Sequence, residues 1–208
     1  MEQGVQSQPP EVTPEPLLED ESPATGQKSG LFNFLVDLFE TLVLSLLLFL
    51  GINTISARIR VDGSSMEPSL QSGEFVIVNR LAYKLGQPEY GDVVIFHFPG
   101  DPGQEYIKRV IGLPGDHVRV IDGKVYINDQ AIDEPYIAAS PRYQGSWDVP
   151  ENHLFVLGDN RNNSSDSHNW GAVPMENVIG EAFFIYWPPT DWGVITALPQ
   201  SANAAATP

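Results

Sequence analysis

A chain of 208 residues holds one medium domain with appendages, or two small domains. Its 27 acidic residues against 11 basic ones give a formal net charge of −16, which argues against nucleic acid or anionic lipid as a partner attracted by overall charge. Cysteine is absent, so disulfides, thiolate catalysis and cysteine zinc sites are excluded too.

Residues 1–30 carry five prolines and six acidic residues with almost no apolar face, a composition expected to stay disordered. The segment lacks the basic start and early apolar stretch of a cleavable leader. Residues 31–57 follow as LFNFLVDLFETLVLSLLLFLGINTISA. Within them, residues 41–57 form an uncharged run of 17 residues, about 25 Å as helix against a hydrocarbon core of about 30 Å. Asp37 and Glu40 belong at the interface, because each carboxylate at the bilayer centre would cost about 2.5–3.5 kcal/mol. The expectation is one transmembrane anchor, with a buried or interfacial helix as the alternative. Flanking charge, Lys28 before the run against Arg58 and Arg60 after it, slightly favours a cytoplasmic globular part.

Residues 58–198 read as a mainly β domain, with short runs of branched and aromatic residues cut by turn signals and no convincing amphipathic helix. The expected strands are 74–79, 92–98, 106–111, 117–121, 124–127, 154–157 and 178–187. Asp122-Gly123 signals a tight hairpin, and Pro99-Gly100 and Pro114-Gly115 mark further turns. Residues 116–158 are expected to form a small inserted β subdomain, and residues 199–208 a flexible tail.

Two segments carry chemistry. VDGSSMEPSL (residues 61–70) offers Ser65 as a nucleophile, and YIKRVIGLPGD (residues 106–116) offers Lys108 as its base. A serine hydroxyl needs a partner that removes its proton during attack. Lysine can do so only as the free amine, and Tyr106, Ile107, Val110 and Ile111 supply an apolar setting that disfavours its charge. Moving a lysine from about 10.4 to about 7–8 requires nearly complete burial. Taken alone, the pair also reads as a turn serine and a surface lysine. His97, His117, His153 and His168 show no ligand-like spacing, so no metal or other cofactor is expected.

Together with GDVVIFHFP (residues 91–99) and GDNRNNSSDSHNWG (residues 158–171), these segments resemble the type I signal peptidases, over residues 58–187 and in the family's order. The resemblance implies a coiled or barrel-like β-sheet and a membrane-anchored serine endopeptidase. Such an enzyme removes signal peptides from exported preproteins after small residues of the Ala-x-Ala type. It further implies an extracytoplasmic catalytic domain at the plasma membrane, against the weak charge rule, and preprotein signal peptides and the bilayer as partners.

By position, Ser65 and Lys108 match the catalytic pair, and Ser164 the serine that hydrogen-bonds the lysine. Asp159, Asn160, Arg161 and Asp166 fill the supporting polar motif. Gly63 stands where some relatives have a serine that adds a second oxyanion donor, and is expected instead to permit close backbone approach. His168 replaces a common arginine, which is expected to weaken an Asp166 ion pair; the SHNWG form resembles cyanobacterial and thylakoidal members. Ile59, Val61, Met66, Val76, Ile95, Tyr106 and Ile107 match pocket-lining positions, with ordinary β-core as the competing reading. A triad of Ser65, His168 and Asp166 stays open, since triads are defined by geometry. So does a non-catalytic anchored β domain that binds exported or envelope proteins.

Overall fold

The computed structural model describes residues 28–195; residues 1–27 of the expected disordered segment and the tail expected over 199–208 lie outside them. Helix α1 spans Lys28–Ile55, without a proline to interrupt it. Residues 30–55 form a stretch of mean hydropathy 2.2 whose side chains are not buried, long and apolar enough to cross a membrane. Thr41 and Thr54 donate their hydroxyls to the carbonyls of Asp37 and Leu50, so both polar groups are satisfied within the helix. The helix takes in residues 28–30 and stops before Ser56 and Ala57, which the sequence reading had placed in the anchor. Ala57 is buried and pairs with Val78, and this packing draws the chain into a sheet at that point.

Twelve strands follow among the described residues. They are β1 (Ser56–Arg60), β2 (Phe75–Asn79), β3 (Val93–Phe98), β4 (Asp101–Gly112), β5 (His117–Ile121) and β6 (Lys124–Ile127). After them come β7 (Gln130–Ala131), β8 (Gly145–Asp148), β9 (His153–Leu157), β10 (Val173–Pro174), β11 (Val178–Trp187) and β12 (Gly193–Val194). One-turn helices α2 (Ala82–Leu85) and α3 (Ser167–Trp170) interrupt the loops; both are too short to show a helical period.

The larger sheet runs β1-β2-β11-β3-β4-β9-β10, with β12 against β11, and every pairing in it is antiparallel. Register shifts in β11 and along β3, β4 and β9 bend it. Residues 93–96 of β3 read as an unbroken apolar run because both faces of the strand are buried there. Val93 and Ile95 join a core with Met66, Val76 and Val78, while Val94 and Phe96 join another with Val110, Leu154 and Val156.

The smaller sheet, β7-β6-β5-β8, is closed at one end by the Asp122-Gly123 hairpin, where Ile121 pairs with Lys124. It ends at Asp148, whereas β9 pairs with β4, so residues 153–157 of the expected 116–158 segment belong to the larger sheet. Asp116 fastens the junction by accepting from Tyr90 Oη at 2.8 Å, the Leu113 amide at 2.7 Å and Asn128 Nδ2 at 2.7 Å.

Candidate active site

Ser65 lies in the loop between β1 and β2. Met66 and Leu70, both fully buried, pin that loop into the core, and the Leu70 amide donates to the Met66 carbonyl at 2.9 Å. Gly63 sits at φ +91° with nothing within 4 Å of where a Cβ would stand. A left-handed turn requires glycine there, not the close backbone approach expected from sequence. The Ser65 carbonyl accepts from the Asn160 amide at 3.0 Å, and the Ser64 carbonyl from Asn160 Nδ2 at 3.1 Å, so the loop 158–171 holds the serine from behind. Gly158 makes this approach possible, since a Cβ on it would collide with the Ser65 carbonyl and the Ser164 hydroxyl. The Ser65 backbone N–H donates to nothing among the described residues.

Lys108 reaches this serine from the middle of β4, with its Nζ 2.8 Å from Ser65 Oγ and 2.9 Å from the Ile107 carbonyl that accepts from it. Only 4% of the residue is exposed. Burial lowers its pKa from the ordinary 10.5 to about 8, although the carboxylates of Asp166 and Asp159 pull the other way. About a tenth of the amine is therefore unprotonated at pH 7 and about half near pH 8, and that fraction can accept the serine's proton.

Ser164, matched to the lysine-orienting position, makes no hydrogen bond: its hydroxyl is buried and without a partner among the described residues. The Ile107 carbonyl holds the amine in its place.

The supporting motif is a set of buried ion pairs. Arg109, next to Lys108 on β4, donates Nε and Nη2 to the two oxygens of Asp159 at 2.8 and 2.7 Å. Arg161 pairs with Glu134 at 2.6 Å and donates Nε to the Gly158 carbonyl at 3.1 Å. The Tyr136 ring lies under both guanidiniums, at 4.2 and 5.8 Å. Arg109, Glu134 and Tyr136 were missed from sequence; a buried Asp159 and Arg161 demand partners, but nothing in the sequence says which residues supply them.

Asp166, fully buried, caps α3 and accepts from the Gly158 amide at 2.9 Å. His168 Nδ1 stands 2.5 Å from Asp166 Oδ1, and its ring stacks on Tyr143 at 3.9 Å. The contact with Asp166 is therefore kept despite the replacement of arginine. Among the described residues no hydrogen bond joins His168 to Ser65, so the triad arrangement is not formed.

A cleft of about 510 Å³ opens over the pair, lined by Ile59, Ile95, Tyr106 and Ile107 together with Ser65 and Lys108. Val61, Met66 and Val76, expected with them, are instead packed in the core and do not line it. Cleft and core share one face of the sheet: Ile59 pairs with Val76 and Ile95 with Ile107, and Ile59 and Ile107 also pack against the core that holds Val61, Met66 and Val76, so residue type does not divide them. Arg60, Asp62, Glu105, Asn163 and Ser165 complete the rim and had not been anticipated.

A family model described as signal peptidase, peptidase S26, matches residues 35–187. The chain belongs to this family. It is a serine endopeptidase of the signal peptidase I type. A probable signal peptidase I-2 of Synechocystis is 45% identical over 79% of this chain and 78% of its own. A signal peptidase I of Leptolyngbya laminosa is 41% identical, covering 85% and 91% of the two chains. The thylakoidal processing peptidase 1 of Arabidopsis thaliana is 38% identical over 62% of this chain and 42% of its own. A crystal structure of a signal peptidase I from Enterococcus faecalis aligns with 45% of this chain and 95% of its own, at 34% identity and a TM-score of 0.43.

Proposed function

We propose that the chain is a membrane-anchored signal peptidase acting through a Ser65–Lys108 dyad. The observation that carries this reading is the 2.8 Å contact between Lys108 Nζ and Ser65 Oγ at a buried lysine. Lys108 as the amine takes the hydroxyl proton while Ser65 Oγ attacks the scissile carbonyl. The resulting ammonium gives that proton to the leaving amine, and the acyl group stays on Ser65. Water, deprotonated by the regenerated amine, then hydrolyses the ester. The free Ser65 N–H is the candidate donor to the oxyanion.

Ile59, Ile95, Tyr106 and Ile107 form the apolar floor that admits small residues at −1 and −3. The substrate lies extended, gaining main-chain hydrogen bonds without reading sequence. Helix α1 is the one membrane span among the described residues, and the catalytic domain faces the extracytoplasmic side of the plasma membrane.

The test is cleavage of several unrelated preproteins with Ala-x-Ala sites by the purified chain and by Ser65→Ala. Cleavage after the −1 residue by the wild type alone supports the reading; equal turnover by the variant, or none by a folded wild type, sinks it. The absence of cysteine makes Lys124→Cys a single-label topology probe. Labelling by an impermeant maleimide in intact cells is the expected result.

A further inference from the structure

A second cavity, of about 530 Å³, lies where α1 gives way to the sheet, with Phe49, Ile52, Arg58, Arg80 and Glu105 on its walls. Its position follows from local structure. The Arg80 amide donates to the Ile55 carbonyl at 2.9 Å, and Ser56 pairs with Asn79, which brings both arginines to the end of the helix. Neither guanidinium has an ion-pair or hydrogen-bond partner among the described residues. In a chain with 27 acidic residues and 11 basic ones, two unpaired guanidiniums sharing one cavity point to an anion from outside.

The other wall states which anion. Phe49 and Ile52 belong to the apolar stretch 30–55, so the cavity joins a hydrocarbon-facing side to a cationic one. Two arginines and Glu105 give it a formal charge of +1, which matches a phosphodiester monoanion and disfavours a dianionic phosphate monoester. Arg58 lies on the flank where the positive-inside rule would least want it, and a lipid phosphate gives that charge a reason to be there.

We propose that this cavity holds the phosphate of a glycerophospholipid, with Arg58 and Arg80 on the phosphodiester and Phe49 and Ile52 against the upper acyl chains. The proposal rests on α1 being the membrane span. Ile59 and Glu105 line both this cavity and the catalytic cleft, so an occupying lipid shares a wall with the substrate.

The full chain in detergent micelles is titrated with dioctanoyl phosphatidylglycerol, and bound lipid is counted by native mass spectrometry. Dioctanoylglycerol, with the same tails and no phosphate, should bind at least about tenfold more weakly to the wild type. The Arg58→Gln/Arg80→Gln variant should lose about tenfold in phospholipid affinity while still cleaving soluble peptides, and Lys124→Gln should lose nothing. Three results overturn the site. They are equal binding by the double variant, equal binding of the neutral diglyceride, and displacement of the lipid by equimolar inorganic phosphate. Flotation with phosphatidylglycerol vesicles reports the anchor separately. A wild type that does not float sinks the span, whereas lost headgroup selectivity with flotation intact sinks the site.

Discussion

The guanidinium of Arg109 grips both oxygens of Asp159 in a fully buried pair, one residue along β4 from Lys108. Successive strand residues leave the backbone on opposite sides. One strand thus delivers the base to Ser65 and, through Arg109, fixes the loop whose Asn160 amide holds the Ser65 carbonyl. Nucleophile and base are positioned by a common element, which sets what substitutions around them should do.

Asp159→Asn should be costly to the fold. It leaves Arg109 charged, buried and half-partnered, a situation that typically costs about 3–5 kcal/mol. It also removes a carboxylate that raises the Lys108 pKa, so the rising limb of kcat/KM should move to lower pH. Urea denaturation and a pH–rate profile measure the two effects. An unmoved limb in a folded variant would mean that Asp159 exerts no field on the lysine.

Lys108→Met should abolish cleavage yet stabilise the protein near neutrality. The folded lysine titrates at about 8, below its ordinary 10.5, which corresponds to about 3 kcal/mol held against the fold. Below about pH 8 both folded and unfolded states carry the proton, and this cost is complete. As pH rises from 8 toward 10.5 the unfolded chain keeps its proton longer than the native one, so wild-type stability gains with pH. The methionine variant should lack that slope and exceed the wild type by about 1–3 kcal/mol at pH 7. Thermal or urea unfolding at pH 7 and pH 10 decides it.

The pH dependence of kcat/KM should rise with a limb near 8, far from that of an exposed lysine. His168→Ala should keep the limb and lose only part of the rate, since the ring packs on Tyr143 and Asp166, with no hydrogen bond to Ser65. Disappearance of the limb in a folded His168→Ala enzyme would remove lysine from the role of base.

Much of this was legible in sequence because it rests on local signals. Strand β3 announced itself as an apolar run, and the β5–β6 hairpin through Asp122-Gly123. Strands β7, β10 and β12 have two residues each and exist only through their partners, so no local pattern marks them. At the site, Ser65 and Lys108 were named from motif and apolar context, and the contact between them required the fold. That Ile59 and Ile95 reach the cleft from the core they share with Val61 and Val76 was not readable, because all four are branched aliphatics on strands or strand ends. Nor could Arg109 be paired with Asp159 across fifty positions by composition alone.

Gly158→Ala should impair both fold and catalysis. The added Cβ would meet the Ser65 carbonyl and the Ser164 hydroxyl, and the backbone contact cannot be relieved by a side-chain rotation. Overpacking of this kind costs about 1–3 kcal/mol, and here the displaced group carries the nucleophile. A drop in kcat larger than the loss of stability explains at fixed temperature is the expected signature. Wild-type kinetics in a destabilised variant would show that Ser65 tolerates the shift.

Ser164→Ala separates a structural serine from a working one. The hydroxyl is buried with no hydrogen-bond partner, so deleting it removes an unsatisfied group and should leave stability unchanged or raise it by about 1 kcal/mol. Its neighbours are Gly158 and the Ser65 carbonyl, within the loop that supports the nucleophile. Acylation turns Ser65 Oγ into an ester oxygen, a poorer acceptor for Lys108 Nζ; if the Ser164 hydroxyl steadies the amine through deacylation, its loss slows that step. The expected outcome is therefore a fall in kcat with little change in KM, in a protein at least as stable as the wild type. Single-turnover and steady-state rates on one peptide, set beside urea unfolding, give all three quantities. A variant with unaltered kcat would assign Ser164 to packing alone, and one that is clearly destabilised would show that its hydroxyl is engaged in the native state.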